Sequence, residues 1–276
     1  MPTGLALGLQ KLQSMCNHSL HALCRTLVFA VMTLVVGTFT ASCTEGGDDT
    51  SQSDQADPDD YTEVDWAPTG SDGKADVVGI PVAFNRNNIM NDALFSDTET
   101  ITAADVQWFF ENSPYNGGGR SWLADEQVEG QPLSTVLYDT ARERGLNPIL
   151  LLARMQIEKG LVSKARPSQS QVNFALGCGC PDYRSCSPQF AGFANQLRCA
   201  GDVFTKFYDM SRNGSGNYRV GASRQSLDHI TISSVNHATA SFYAYTPWVL
   251  VGRGGNWLAW NITRKYLKHF DTAGRL

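Results

Sequence analysis

The stretch Gly145-Leu146-Asn147-Pro148-Ile149-Leu150-Leu151-Leu152-Ala153-Arg154-Met155-Gln156-Ile157-Glu158-Lys159-Gly160-Leu161-Val162 decides the fold class. Asn147 is a good helix N-cap, because its side-chain oxygen can accept an orphan amide of the first turn. Pro148 suits the first helical position, where its missing N–H costs nothing. The spacing predicts a helix from Asn147 to about Val162, with Leu151, Met155, Glu158 and Val162 on one face. A carboxyl group therefore closes an apolar stripe near a helix C-terminus. Both surroundings favour the protonated form of a carboxyl group. A carboxylic acid that keeps its proton near neutral pH can donate it to a leaving glycosidic oxygen. The competing expectation is an i, i+4 pair with Arg154, which would hold the carboxylate charged and disqualify it as a donor.

Further helices follow outward from this one. Thr102 and Asp105 form a capping box ahead of Val106, Phe109 and Phe110. Leu133, Val136, Leu137, Thr140 and Ala141 make a helical stripe that Gly145 stops. Ser187-Pro188 predicts the start of a helix carrying Phe190, Phe193, Leu197, Ala200, Phe204 and Phe207. Ala238 to Tyr245 is a helix closed by Pro247, and Trp257 to Phe270 is the last. Strand signals are thin: Tyr218-Arg219-Val220 and His229-Ile230-Thr231-Ile232 predict one small hairpin. Strands alternating with helices are absent, which argues against a doubly wound sheet. The expectation is a mainly α chain with one helical domain and a small β-hairpin.

The 276 residues are 42% hydrophobic and 18% charged, which excludes a collagen, a coiled coil and a wholly disordered chain. The net charge of −5 is unevenly spread. Residues 44–73 hold ten acidic groups and no basic one, so 74–276 carries 20 basic against 17 acidic groups. That balance gives no basic stripe for nucleic acid.

The N-terminus reads as an export signal. A run from Leu27 to Val36 follows Arg25, too short for a comfortable membrane span, and Thr40-Ala41-Ser42 places small residues before Cys43. Met15 is a candidate start that would leave a more ordinary leader. The expected organisation is a signal peptide over 1–42, an acidic disordered tether over 43–80 and a folded domain over 81–276. One sign of charge with low hydrophobicity cannot repay ordering entropy, which makes the tether self-repelling.

Four cysteines lie in the domain: Cys178, Cys180, Cys186 and Cys199. In an exported chain they imply two disulfides, with three pairings possible. Cys180 and Cys186 could close a short ring, leaving Cys178 and Cys199 to tie the loop to the next helix. A four-thiolate zinc site lacks its usual C-x2-C spacing. No nucleophile elbow, phosphate loop, zinc-protease motif or dinucleotide fingerprint is present. His229, His237 and His269 show no metal-ligand spacing and read as structural. No metal and no cofactor is expected.

The Gly145–Val162 segment resembles the catalytic helix of the lysozyme-like superfamily. More narrowly, it is similar to exported bacterial proteins related to peptidoglycan lytic transglycosylases and glucosaminidases. Three further regions resemble that group in order: Ala175 to Asp182, Phe190 to Leu197, and Ala240 to Trp248 with Gly255 to Trp260. The Ala41-Ser42-Cys43 ending likewise resembles a bacterial lipobox. The resemblance implies a lysozyme-like fold that cleaves β-1,4 links in peptidoglycan glycan strands, with Glu158 as general acid and then base. It also implies lipid attachment to Cys43, outer-membrane anchoring and no transmembrane span.

A second carboxylate is needed for simple inversion or for a glycosyl-enzyme, and Asp182 is the candidate. Without one, attack by the muramic 6-hydroxyl or help from the N-acetyl group completes the reaction. Gln196, Asn195, Tyr243, Tyr245 and Trp248 are the candidate sugar-binding residues, while Phe242, Trp257 and Trp260 read as core. The expected partners are an amino-sugar glycan and a membrane, with the protein a monomer. The alternative function is a catalytically silent glycan-binding module or adhesin on the same fold.

Overall fold

The computed structural model describes residue 65 and residues 77–115, 117–181 and 184–276, all within the compact unit Ser51–Leu276. The leader, Cys43, most of the tether and Asp182 lie outside the described residues. The described chain is mainly helical. Its helices are α1 (Asp92–Phe95), α2 (Ala103–Glu111), α3 (Leu133–Glu143), α4 (Pro148–Lys159), α5 (Gln169–Asn173), α6 (Phe193–Arg212), α7 (His237–Tyr245) and α8 (Gly255–Thr272). Two antiparallel strand pairs complete it: β1 (Gln127–Val128) with β2 (Gln131–Pro132), and β3 (Ser223–Gln225) with β4 (Thr231–Ser233).

α4 is the central element. Asn147 Oδ1 accepts from the Ile149 N–H at 3.0 Å, and Pro148 opens the first turn. The helix stops at Gly160, earlier than the apolar spacing suggests. Gly160 adopts φ 60, its N–H returns to Gln156 O, and the Leu161 N–H returns to Met155 O. This left-handed closure satisfies the last carbonyls and turns Val162 off the helix. α4 is buried on nearly all sides, as its apolar sequence requires. It packs on α8 and touches α3 and α6, while α6 packs on α7 and α2 on α3.

Local chemistry explains where other elements depart from expectation. The capping box at Thr102 and Asp105 is present. The helix expected from Pro188 begins at Phe193, because Gly192 at φ 93 interrupts it and leaves Pro188–Phe190 as a single 3-10 turn. The hairpin uses β3 and β4 rather than Tyr218–Val220, because Gly221 at φ 80 turns the chain between them. Glu129 and Gly130, both at positive φ, make the two-residue turn of the β1–β2 hairpin. That pair has only weak strand signals. Phe242, Trp257 and Trp260 are core residues, as read from their spacing.

Asp65 falls within the stretch read as tether, yet it is fully buried. One carboxylate oxygen accepts from the Tyr115 hydroxyl at 2.5 Å and the other from Gln156 Nε2 at 2.9 Å. Tyr115 also meets the Tyr266 hydroxyl at 3.0 Å, and Asn261 Nδ2 donates to Asp65 O. Gln156 Oε1 accepts from the Val162 and Ser163 amides. A buried carboxyl group is tolerated when such a network satisfies it. The network ties this residue to the turn that follows α4.

Candidate functional site

Of the twelve residues of α4, only Glu158 is not buried. Its side chain keeps 26% of its exposure, while that of Arg154, one turn earlier, keeps 2%. Arg154 Nη2 donates to Glu158 Oε1 at 2.6 Å and to Thr246 Oγ1 at 2.5 Å. The guanidinium carbon lies 3.9 Å from the centre of the Tyr245 ring. The i, i+4 pair weighed against proton donation is therefore formed, and its cation is a buried one. Removing the carboxylate would leave that cation without its counter-charge.

Glu158 Oε2 lies against Gly177. A Cβ built on Gly177 would sit 2.3 Å from Oε2, and Gly177 adopts φ +68. The left-handed backbone favours glycine here, and any larger residue would have to displace the Glu158 carboxylate. Arg154 thus fixes one carboxylate oxygen and leaves the other facing the loop that carries Gly177.

Three devices hold that loop. The disulfides Cys178–Cys199 and Cys180–Cys186 form, which settles the pairing. Gln196, fully buried on α6, accepts from the Leu176 and Cys178 amides and donates to the Cys178 and Phe190 carbonyls. Tyr245 on α7 donates its hydroxyl to Leu176 O at 3.0 Å. Burial raises the Tyr245 hydroxyl above its usual range, the Arg154 cation opposes that, and the Glu158 charge adds to it. Tyr245 is therefore a neutral donor at physiological pH.

A groove of about 520 Å³ runs along this loop. Gly177, Cys180 and Pro181 form one side, and Phe190, Phe207 and Tyr245 line it with aromatic surface. None of its described lining residues is charged. Two of its lining residues touch the ion pair, Gly177 at Glu158 and Tyr245 at Arg154, while Glu158 itself does not line the groove.

The candidate residues divide clearly in space. Glu158 and Tyr245 come together, with Tyr245 also serving as a pin. Gln196 lies close by but spends its amide on backbone groups, so it shapes the loop from behind. Asn195 is on the exposed side of α6, where its Nδ2 donates to Ala191 O. Tyr243 is fully buried and stacked on Tyr218, 5.6 Å between ring centres, away from solvent. Trp248 is half-buried and engages Asn256 only through its backbone carbonyl. Asp182 lies outside the described residues. Arg154, Thr246 and Gly177 are the site residues that sequence reasoning passed over as site-forming. Among the described residues, no group of three or more His, Cys, Asp or Glu is placed to hold a metal.

Residues 89–259 match the family described as LasA, N-terminal domain, and the chain belongs to that family. The match runs from just before α1 into α8 and includes the whole of α4 and the disulfide-held loop. No curated protein and no solved structure matches the chain.

Proposed function

We propose that this protein is an exported glycan-cleaving enzyme of the bacterial cell wall, with Glu158 as the proton-transfer group. A single observation carries the reading. An otherwise buried central helix brings one carboxylate against Gly177, a lining residue of an uncharged, aromatic-lined groove, with its other oxygen held by Arg154. Aromatic faces and backbone amides beside a neutral trench suit an amino-sugar chain. The lysozyme-like sequence resemblance points to β-1,4 links in peptidoglycan, and lipid attachment at Cys43 would place the enzyme at the outer membrane.

In this reading, Arg154 orients the carboxylate through Oε1. Oε2, in its protonated form, passes the proton to the glycosidic oxygen as that bond breaks, and the leaving sugar departs as an alcohol. Oε2 then accepts a proton from the attacking group, either a water or a hydroxyl of the sugar itself. Closure of the groove by substrate expels water and strengthens these contacts.

The 2.6 Å ion pair favours a second reading, a glycan-binding module that never cleaves. An ionised carboxylate only accepts hydrogen bonds. One experiment separates the two. Purified peptidoglycan is incubated with the protein and with its Glu158→Gln variant, and the soluble products are weighed by mass spectrometry. Cleavage reduced by about 10²-fold or more in the variant supports the enzyme, a loss typical of a removed acid–base group. Equal release by both proteins rules out the role of Glu158. Co-sedimentation without release by either protein supports the binding module. Product masses distinguish hydrolysis from anhydro-sugar formation.

A further inference from the structure

We propose that the face built from the β3–β4 hairpin and its two neighbouring loops docks on a lipid surface bearing anionic headgroups. Among the described residues, six large hydrophobic side chains are exposed: Val78, Val220, Leu227, Val235, Val251 and Leu276. Four of these lie on residues 215–236 and 247–254. Hydrogen bonds join those segments and residues 81–88 into one surface. The Leu227 N–H donates to Pro247 O at 2.7 Å, and the Val235 N–H to Asn87 O at 3.0 Å. Arg86 Nε donates to Thr231 O at 3.2 Å. A hollow of about 550 Å³ opens among them, lined by Phe84, Arg86, Ile230, Val249 and Val251.

The charge of this face has one sign. Its three segments carry Arg86, Arg219, Arg224 and Arg253 against Asp228 alone. Both Asp228 oxygens accept backbone amides, from Val249 and Leu250, each at 3.0 Å. That leaves Arg86, Arg224 and Arg253, all exposed, to set the outward potential. The apolar groups stand singly on turns, and the turns are held by His229 at φ 60 and Leu250 at φ 45. Leu227, Val235 and Val251 each keep half or more of their exposure. Separate apolar points among cations fit a fluid interface: side chains enter between headgroups while arginines meet phosphate oxygens. The inference stands apart from glycan cleavage, because the face is distinct from the Glu158 groove in every lining residue.

The test is vesicle flotation with the full chain carrying Cys43→Ser, so that no acyl group contributes. Any binding by the leader is common to all samples. Vesicles of phosphatidylcholine are compared with vesicles in which roughly a third is phosphatidylglycerol, and binding should rise about fivefold or more on the latter and fall with salt. Two surface variants, Leu227→Asp/Val251→Asp and Arg86→Ser/Arg253→Ser, should each weaken binding to the anionic vesicles by about tenfold. Unchanged melting curves would show that both variants are folded. Equal binding by the variants, or equal binding to neutral vesicles, would overturn the proposal. So would retention by an acidic protein or a nucleic acid with none by vesicles.

Discussion

Gly177 and Glu158 occupy each other's space: the position a Cβ would take on residue 177 is 2.3 Å from the Glu158 carboxylate oxygen. The absent side chain is what leaves room for an acidic group of a buried helix beside the loop that carries residue 177. The same glycine sits at φ +68, so its two roles reinforce each other.

Gly177→Ala should therefore destabilise the protein by about 1–2 kcal/mol from the left-handed backbone alone. Glutamate displacement adds to this. The measurable outcomes are a lowered Tm and a loss of peptidoglycan cleavage larger than the stability change explains. A variant with wild-type melting and wild-type turnover would contradict the packing described.

Removal of Glu158 should depend on what replaces it. Glu158→Gln keeps an oxygen for Arg154 Nη2 and should stay within about 1 kcal/mol of wild type. Glu158→Ala strips a buried guanidinium of its partner and should cost about 1–3 kcal/mol. Urea unfolding of the two variants, compared side by side, checks the order.

Gln196→Leu fills a similar volume but breaks four hydrogen bonds to loop backbone. Buried amides and carbonyls left unpaired should cost roughly 3 kcal/mol. Both disulfides remain, so the loop stays attached while its wall loosens. Hydrogen exchange at Leu176 and Cys178 should speed up much more than at α8.

Asp228 makes an acid-sensitive joint. Burial pushes its carboxyl up, but hydrogen bonds from the Leu250 amide, Ser226 and the Val249 amide outweigh that, so the net direction is down. A carboxyl lower in the folded state stabilises the protein above its unfolded range, and that stability is lost as pH falls through the folded value. Asp228→Asn should flatten the decline in Tm below about pH 4. It should also lower stability at neutral pH. If the acid limbs of the two curves superimpose, the joint is not where stability is lost.

Much of the helical frame was readable from short-range chemistry. The caps at Thr102 and Asn147, the stop at Gly145 and the apolar stripes all act within a few residues, and each is found in place. The end of α4 is encoded by Gly160 followed by an apolar residue, a closing signal that outweighs the apolar spacing running on to Val162. The site was legible only in part. Glu158 could be singled out as the acid that closes an apolar stripe, but the sequence did not decide between proton donation and the ion pair with Arg154 that is formed. Its surroundings depend on partners distant in sequence, such as Gly177 and Thr246, which no local pattern brings together. Tyr243 and Tyr245 illustrate the limit. Two positions apart on one helix, one is sealed against Tyr218 and the other faces Arg154, and only the packing of α7 on α6 decides which.

The burial of Asp65 means that the folded body takes hold of the chain ahead of residue 81, where composition places the start of the domain. A protein shortened to begin at residue 81 loses the acceptors that Tyr115, Gln156 and Asn261 donate to, and should melt at a lower temperature than one beginning at residue 51.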